Sequence, residues 1–109
     1  MISAWLAAFA LTQLVEVPIY RYGARASWST ALLASTFTHP VVWFVFPLLT
    51  SLSYWQMVAC AELFAVLFEA AWLRIRGIDG VRRALGWSLL ANAASVVIGL
   101  GLRSAFGAP

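Results

Sequence analysis

The chain has 109 residues, of which 63% are hydrophobic and only 10% charged, and its mean hydropathy is +0.89. Soluble domains carry about 25% charged residues, and a chain this short has too little interior to hide so much apolar surface from water. The composition therefore excludes a soluble domain and predicts that lipid is the solvent of this chain. The net charge of +3 comes from Arg residues in short clusters between apolar runs, which is typical of membrane topology and not of a nucleic-acid-binding surface.

Four apolar runs follow one another along the chain, each close to the roughly 20 residues that a membrane span requires. They cover about residues 2–20, 28–49, 54–73 and 84–102, and short segments with turn chemistry separate them. The sequence predicts an all-α polytopic membrane protein in which residues 1–109 form one four-span domain. We expect this domain to be a four-transmembrane-helix bundle.

The distribution of Arg predicts the orientation of the four spans. Six of the seven basic residues lie in the first and third loops, within Arg21–Arg25 and Arg74–Arg83, and the opposite side has only Arg103. Because basic loops stay on the cytoplasmic side, both of these loops are predicted to be cytoplasmic. Both termini and the second loop are then non-cytoplasmic, and the expected location is a bacterial-type inner membrane.

Three of the four acidic residues, Glu16, Glu62 and Glu69, fall within predicted spans. A charged side chain at the centre of a membrane helix opposes insertion by roughly 2.5 to 3.5 kcal/mol, so such residues point to function. A rise of about 1.5 Å per residue puts Glu16 and Glu69 in one layer near the cytoplasmic interface. The same count puts Glu62 and His39 in a second layer near mid-membrane, and the sequence predicts an internal polar column.

The second and fourth spans supply further polar and small side chains. Thr38, Asn92 and Ser95 are candidates for binding the ion, proton or substrate together with the three glutamates and His39. Ala91, Ser95 and Gly99 recur at four-residue spacing, which predicts close packing of another helix against span four.

Each candidate also has a plainer interpretation. The two glutamates of span three could be protonated and hydrogen-bonded, and serve only to fix helix register. Glu16 could extend to the interface and pair with Arg21 or Arg25. His39 is either a structural hydrogen-bond donor, a proton relay with Glu62, or a transition-metal ligand together with Glu62 and Glu69.

No phosphate loop, nucleophile elbow, zinc motif or haem ligand pair occurs in the sequence, which sets these chemistries aside. Three functional hypotheses remain. The first is a non-enzymatic subunit or homo-oligomeric component of a membrane assembly, with the lipid bilayer and itself or other membrane subunits as partners. The second is a proton- or cation-coupled carrier that uses Glu62 and Glu69, with His39 as a relay and Asn92 as an orienting ligand. The third is an intramembrane Glu/His metal-dependent enzyme. No cofactor is predicted outside that third case.

Overall fold

The computed structural model describes residues 2–106, and every regular element in that range is helical. The prediction of an all-α fold is therefore confirmed. A π-helical turn continues the first helix, and a short 3-10 turn follows the second. The elements are α1 (Ile2–Pro18), the π-helical turn (Ile19–Gly23), α2 (Trp28–Phe44), the 3-10 turn (Phe46–Leu48), α3 (Tyr54–Ile75) and α4 (Val81–Phe106).

Three stretches are long and apolar enough to cross a membrane: Ser3–Gly23, Trp28–Leu48 and Val81–Ala105. The remaining helix, α3, carries both Glu62 and Glu69. The longest dimension of the bundle is 36 Å, which is comparable to the roughly 30 Å hydrocarbon core of a bilayer. Large apolar side chains lie exposed around its exterior, as expected of a surface that faces lipid.

The helix starts follow from local sequence. The Ser27 hydroxyl accepts a hydrogen bond from the Thr30 backbone N–H at 3.2 Å and so caps α2. Ser53 and Gln56 form a reciprocal capping box at the start of α3, which satisfies two backbone donors that the helix leaves free. These caps fix where the two loops end and where the helices begin.

The four helices pack in ring order, with α1 against α2, α2 against α3, α3 against α4, and α4 against α1. Between the described residues there is no comparable contact across either diagonal. Consequently α1 faces α3, and α2 faces α4, across a central space. Polar side chains from all four helices can meet there.

The bundle is tightly packed at the end formed by the α1–α2 and α3–α4 loops, which we call the closed end. Most of its core residues are alanines, which let the backbones approach closely. Tyr20, Leu73 and Ala84 have no solvent-exposed surface there. At the opposite end, which we call the open end, the α2–α3 loop exposes most of its residues.

Arginines consolidate the closed end by binding backbone carbonyls. Arg83 donates to the Ala24 carbonyl at 3.2 Å, and Arg74 donates to the Ile78 carbonyl at 3.0 Å. These charges therefore satisfy loop carbonyls that no helix pairs.

Candidate functional site

A cavity of about 230 Å³, with several polar side chains in its wall, lies between the four helices, above the core of the closed end. It extends along α4 from Asn92 to the exposed Arg103, a distance of about 16 Å at the helical rise. Because Arg103 lies in the last turn of α4, the cavity opens toward the open end. Its polar lining includes all the candidate site residues of the sequence: Glu16, Thr38, His39, Glu62, Glu69, Asn92 and Ser95.

Glu69 is the acceptor of a hydrogen-bond network at the base of this cavity. Tyr20 Oη donates to its Oε1 at 2.5 Å, and Asn92 Nδ2 donates to the same oxygen at 3.2 Å. Thr38 Oγ1 donates to the other oxygen, Oε2, at 2.7 Å. The three donors come from three different segments, and Glu69 is only 1% exposed. The network both satisfies the carboxyl group and ties α3 to the rest of the bundle.

Glu16 is about as buried as Glu69, but only one of its two carboxyl oxygens has a hydrogen-bond partner in the range that the structure describes. Ser95 Oγ donates to its Oε2 at 2.6 Å, whereas its Oε1 is buried and has no hydrogen-bond partner among the described residues. The expectation that Glu16 pairs with Arg21 or Arg25 is wrong, because Glu16 is 2% exposed and faces the cavity. Arg21 lies elsewhere, with its guanidinium group over the Trp28 ring at 5.1 Å.

Glu16 and Glu69 both line the cavity from diagonally opposed helices, close enough for their negative charges to repel. We call this pair the carboxyl dyad. Two negative charges so close together in a buried place repel, so the pair is stable only when a proton or another cation lies between or beside the two groups. The depth estimate from the sequence had put these two residues in one layer, and the structure brings them together.

The predicted second layer, with His39 and Glu62, lacks the hydrogen bond that a proton relay between the two residues requires. The His39 ring is enclosed by aromatic rings, with centroids 5.3 Å from Phe9 and 6.0 Å from Trp5 and Trp43. Its Nδ1 is buried without a partner in the described part of the chain. Glu62 is half-buried and no hydrogen bond joins it to His39, so the expected relay is not formed in this structure.

A metal site is not formed either. Within residues 2–106, no three side chains of His, Cys, Asp or Glu lie close enough together to hold a metal ion. The set of Glu62, Glu69 and His39 is therefore not a ligand cluster. Aromatic packing holds His39 away, and the hydroxyl and amide donors already occupy the Glu69 oxygens.

The three small residues at four-residue spacing on α4, Ala91, Ser95 and Gly99, have different surroundings. Ala91 is fully buried in the core, but Ser95 binds Glu16 and borders the cavity. At Gly99, a Cβ atom would meet nothing within 4 Å. Within the described part of the chain, therefore, no helix packs closely against Gly99, which lines the cavity.

The candidate residues of the sequence did not include Tyr20, which donates to Glu69. It lies four residues after Glu16, so helical spacing would have aligned both with the interior face. Gln13 was also missed as a link between helices. Its Nε2 donates to the Leu32 carbonyl at 3.1 Å, and Ser35 Oγ donates to its Oε1 at 3.2 Å.

A second, more apolar cavity of about 370 Å³ lies against α2 and α3 at the open end. It shares Val42, Trp43, Glu62 and Arg103 with the first cavity. The polar interior of the bundle is therefore adjacent to an apolar groove.

Comparisons of the chain with protein families, with curated proteins and with solved structures found no match.

Proposed function

We propose that this protein is a small membrane carrier that binds a proton or a cation at the carboxyl dyad. One observation supports the proposal above all. Glu16 is almost fully buried, faces a second carboxyl group, and has a carboxyl oxygen without a partner among the described residues, in a cavity that reaches Arg103 at the open end and stops at the packed core of the closed end. A binding group that is accessible from one side and closed from the other is what alternating access requires.

The proposal includes four membrane spans. The helix α3 has 22 residues, or about 33 Å at the helical rise, and lies between α2 and α4 in the ring. It therefore crosses the same depth as its two apolar neighbours. The positive-inside rule then assigns the closed end, with Arg21–Arg25 and Arg74–Arg83, to the cytoplasm. The cavity opens on the non-cytoplasmic side of a bacterial-type inner membrane.

In this proposal the two acidic residues of the dyad have different tasks. Glu69 is held by Tyr20, Thr38 and Asn92, so it provides a fixed negative charge. Glu16 has only the Ser95 hydroxyl and is the group that gains and loses the proton. This differs from the sequence hypothesis, which gave the exchange to Glu62 and Glu69.

The test is proton flux into proteoliposomes that contain a pH-sensitive dye, driven by a potassium diffusion potential. We expect the wild-type protein to conduct protons, and Glu16→Gln to reduce the flux to the background of empty vesicles. Asp79→Asn is the matched control, because Asp79 lies exposed in the α3–α4 loop and outside the cavity. Equal flux in wild type and Glu16→Gln would refute the proposal.

A second candidate is the non-enzymatic subunit or homo-oligomeric component of a membrane assembly. The specific observation in its favour is that Glu69 is saturated by donors from three segments, as expected of a group that fixes helix register. Native mass spectrometry of the protein extracted from its own membrane distinguishes the two candidates. A reproducible heteromeric mass would favour the subunit, whereas a homomeric mass together with Glu16-dependent proton flux would favour the carrier.

A further inference from the structure

The cavity also indicates the chemical class of its ligand, and this inference rests on the carrier function proposed above. The oxygens of Glu69 already accept three hydrogen bonds. In the described part of the chain, two buried polar atoms of the cavity wall remain without partners: Glu16 Oε1 and His39 Nδ1. Both residues are more than nine-tenths buried. A ligand that satisfies the Glu16 oxygen must donate a hydrogen bond.

The charges that line the cavity determine the sign of the ligand. Three carboxyl groups, of Glu16, Glu62 and Glu69, line it together with one cation, Arg103. The lining therefore has more acidic groups than basic ones. This excess favours a cationic ligand over a neutral or anionic one.

The shape of the cavity indicates an organic body attached to this cation. Above the dyad the wall is mainly apolar and includes Leu11, Val42, Trp43 and Val96. A cavity of about 150 Å³ accommodates benzene, so the volume of about 230 Å³ accommodates an aromatic ring with a short arm. The Trp43 ring provides a face for such a group.

We propose that the cavity binds a protonated primary amine with a small apolar body, whose ammonium group donates to Glu16 Oε1. A primary ammonium has three N–H donors, whereas a quaternary ammonium has none and leaves the Glu16 oxygen unsatisfied. Binding replaces the proton of the dyad. The O–H bond breaks, its electron pair stays on the carboxylate oxygen that accepts the ammonium N–H, and the proton passes to the buffer.

The groups that face this exchange come from every neighbouring segment. They are Glu69 and Glu62 on α3, Tyr20 in the π-helical turn, His39 on α2 and Arg103 on α4. Of these, Tyr20 donates a hydrogen bond to Glu69 and so keeps the fixed charge in place while Glu16 exchanges its proton for the ammonium group.

The test is isothermal titration calorimetry of the full-length protein in dodecyl maltoside with phenethylamine and with its N-trimethyl derivative. We expect phenethylamine to bind and the trimethyl compound to bind at least about tenfold more weakly. Comparison of two buffers with different ionisation enthalpies should give close to one proton released per phenethylamine bound. Glu16→Gln should abolish both binding and release, and Asp79→Asn should leave them unchanged.

Equal affinity for the two compounds would overturn the inference without requiring any variant. Binding without proton release, or binding that persists in Glu16→Gln, would overturn it as well. If phenethylamine does not bind while Glu16-dependent proton flux persists, the ligand class is wrong and the carrier remains. If both are absent, both proposals fail.

A primary ammonium can come from a free amine or from the headgroup of phosphatidylethanolamine, and the adjoining apolar groove makes the comparison necessary. The same titration in nanodiscs of phosphatidylcholine, with and without phosphatidylethanolamine, separates the two sources. Weaker phenethylamine binding in the presence of phosphatidylethanolamine assigns the site to the headgroup, and unchanged binding assigns it to a free amine.

Discussion

Replacement of each member of the carboxyl dyad by alanine should separate the structural glutamate from the exchanging one. Glu69→Ala removes the acceptor of three hydrogen bonds, from Tyr20, Thr38 and Asn92. At roughly 0.6 to 1.5 kcal/mol per bond in a membrane protein, the expected loss of unfolding free energy is about 2 to 4.5 kcal/mol. Glu16→Ala removes the single bond from Ser95 and also relieves the repulsion within the dyad. Its net cost should stay within about 1 kcal/mol.

The two variants are matched, because both remove a buried carboxyl side chain of the same size from the wall of one cavity. The assay is unfolding in dodecyl maltoside micelles with increasing sodium dodecyl sulfate, followed by helical circular dichroism. A Glu16→Ala protein that is as unstable as Glu69→Ala would refute the division of roles. So would a Glu69→Ala protein with wild-type stability, since the network would then contribute nothing.

Two further predictions use glycines, each with a control in the same chain. Gly23→Ala should destabilise the bundle by about 1 to 3 kcal/mol, because the new Cβ would lie 2.4 Å from the Trp87 ring. At Gly86 an added Cβ would meet nothing within 4 Å, so Gly86→Ala should stabilise α4 by up to about 1 kcal/mol in the same unfolding assay. If Gly86→Ala were instead less stable than Gly23→Ala, the packing described for the closed end would be contradicted. Gly99→Val should reduce proton flux severalfold by narrowing the cavity, whereas Gly101→Val, on the exposed part of α4, should not. Equal flux in these two variants would argue that the cavity is not the path.

The helices could be predicted closely from the sequence because hydropathy and Arg clusters mark span ends directly. The third predicted span, residues 54–73, corresponds to α3 (Tyr54–Ile75), and the fourth, residues 84–102, lies within α4 (Val81–Phe106). The end of the first predicted span was harder to predict. After Pro18, which cannot donate a backbone hydrogen bond, the chain winds as a π-helical turn to Gly23. Periodicity in a single sequence does not distinguish this winding from an ordinary helical turn.

The layer that contains Glu16 and Glu69 could be predicted from residue counting, since depth depends only on the helical rise. The direction in which a side chain points could not be predicted in this way. His39 and Glu62 share a predicted depth, yet three aromatic rings surround the imidazole and no hydrogen bond joins the pair. That outcome depends on how α1 and α2 rotate against each other. The hydropathy pattern constrains this rotation only weakly, because the apolar residues lie on both the lipid-facing and the packed faces.

The three glutamates of the predicted spans look alike in the sequence, and only their hydrogen bonds distinguish them. A carboxyl group that accepts from a phenol, a hydroxyl and an amide loses much of its interaction energy if it changes its charge or partner. Glu16 has a single hydroxyl donor, so a change in its charge disturbs fewer contacts. An exchanging carboxyl beside a fixed one needs this asymmetry, because two equally held groups would both resist exchange. In the carrier proposed above, the donors of Glu69, and not the acidic residues themselves, therefore determine which glutamate exchanges its proton.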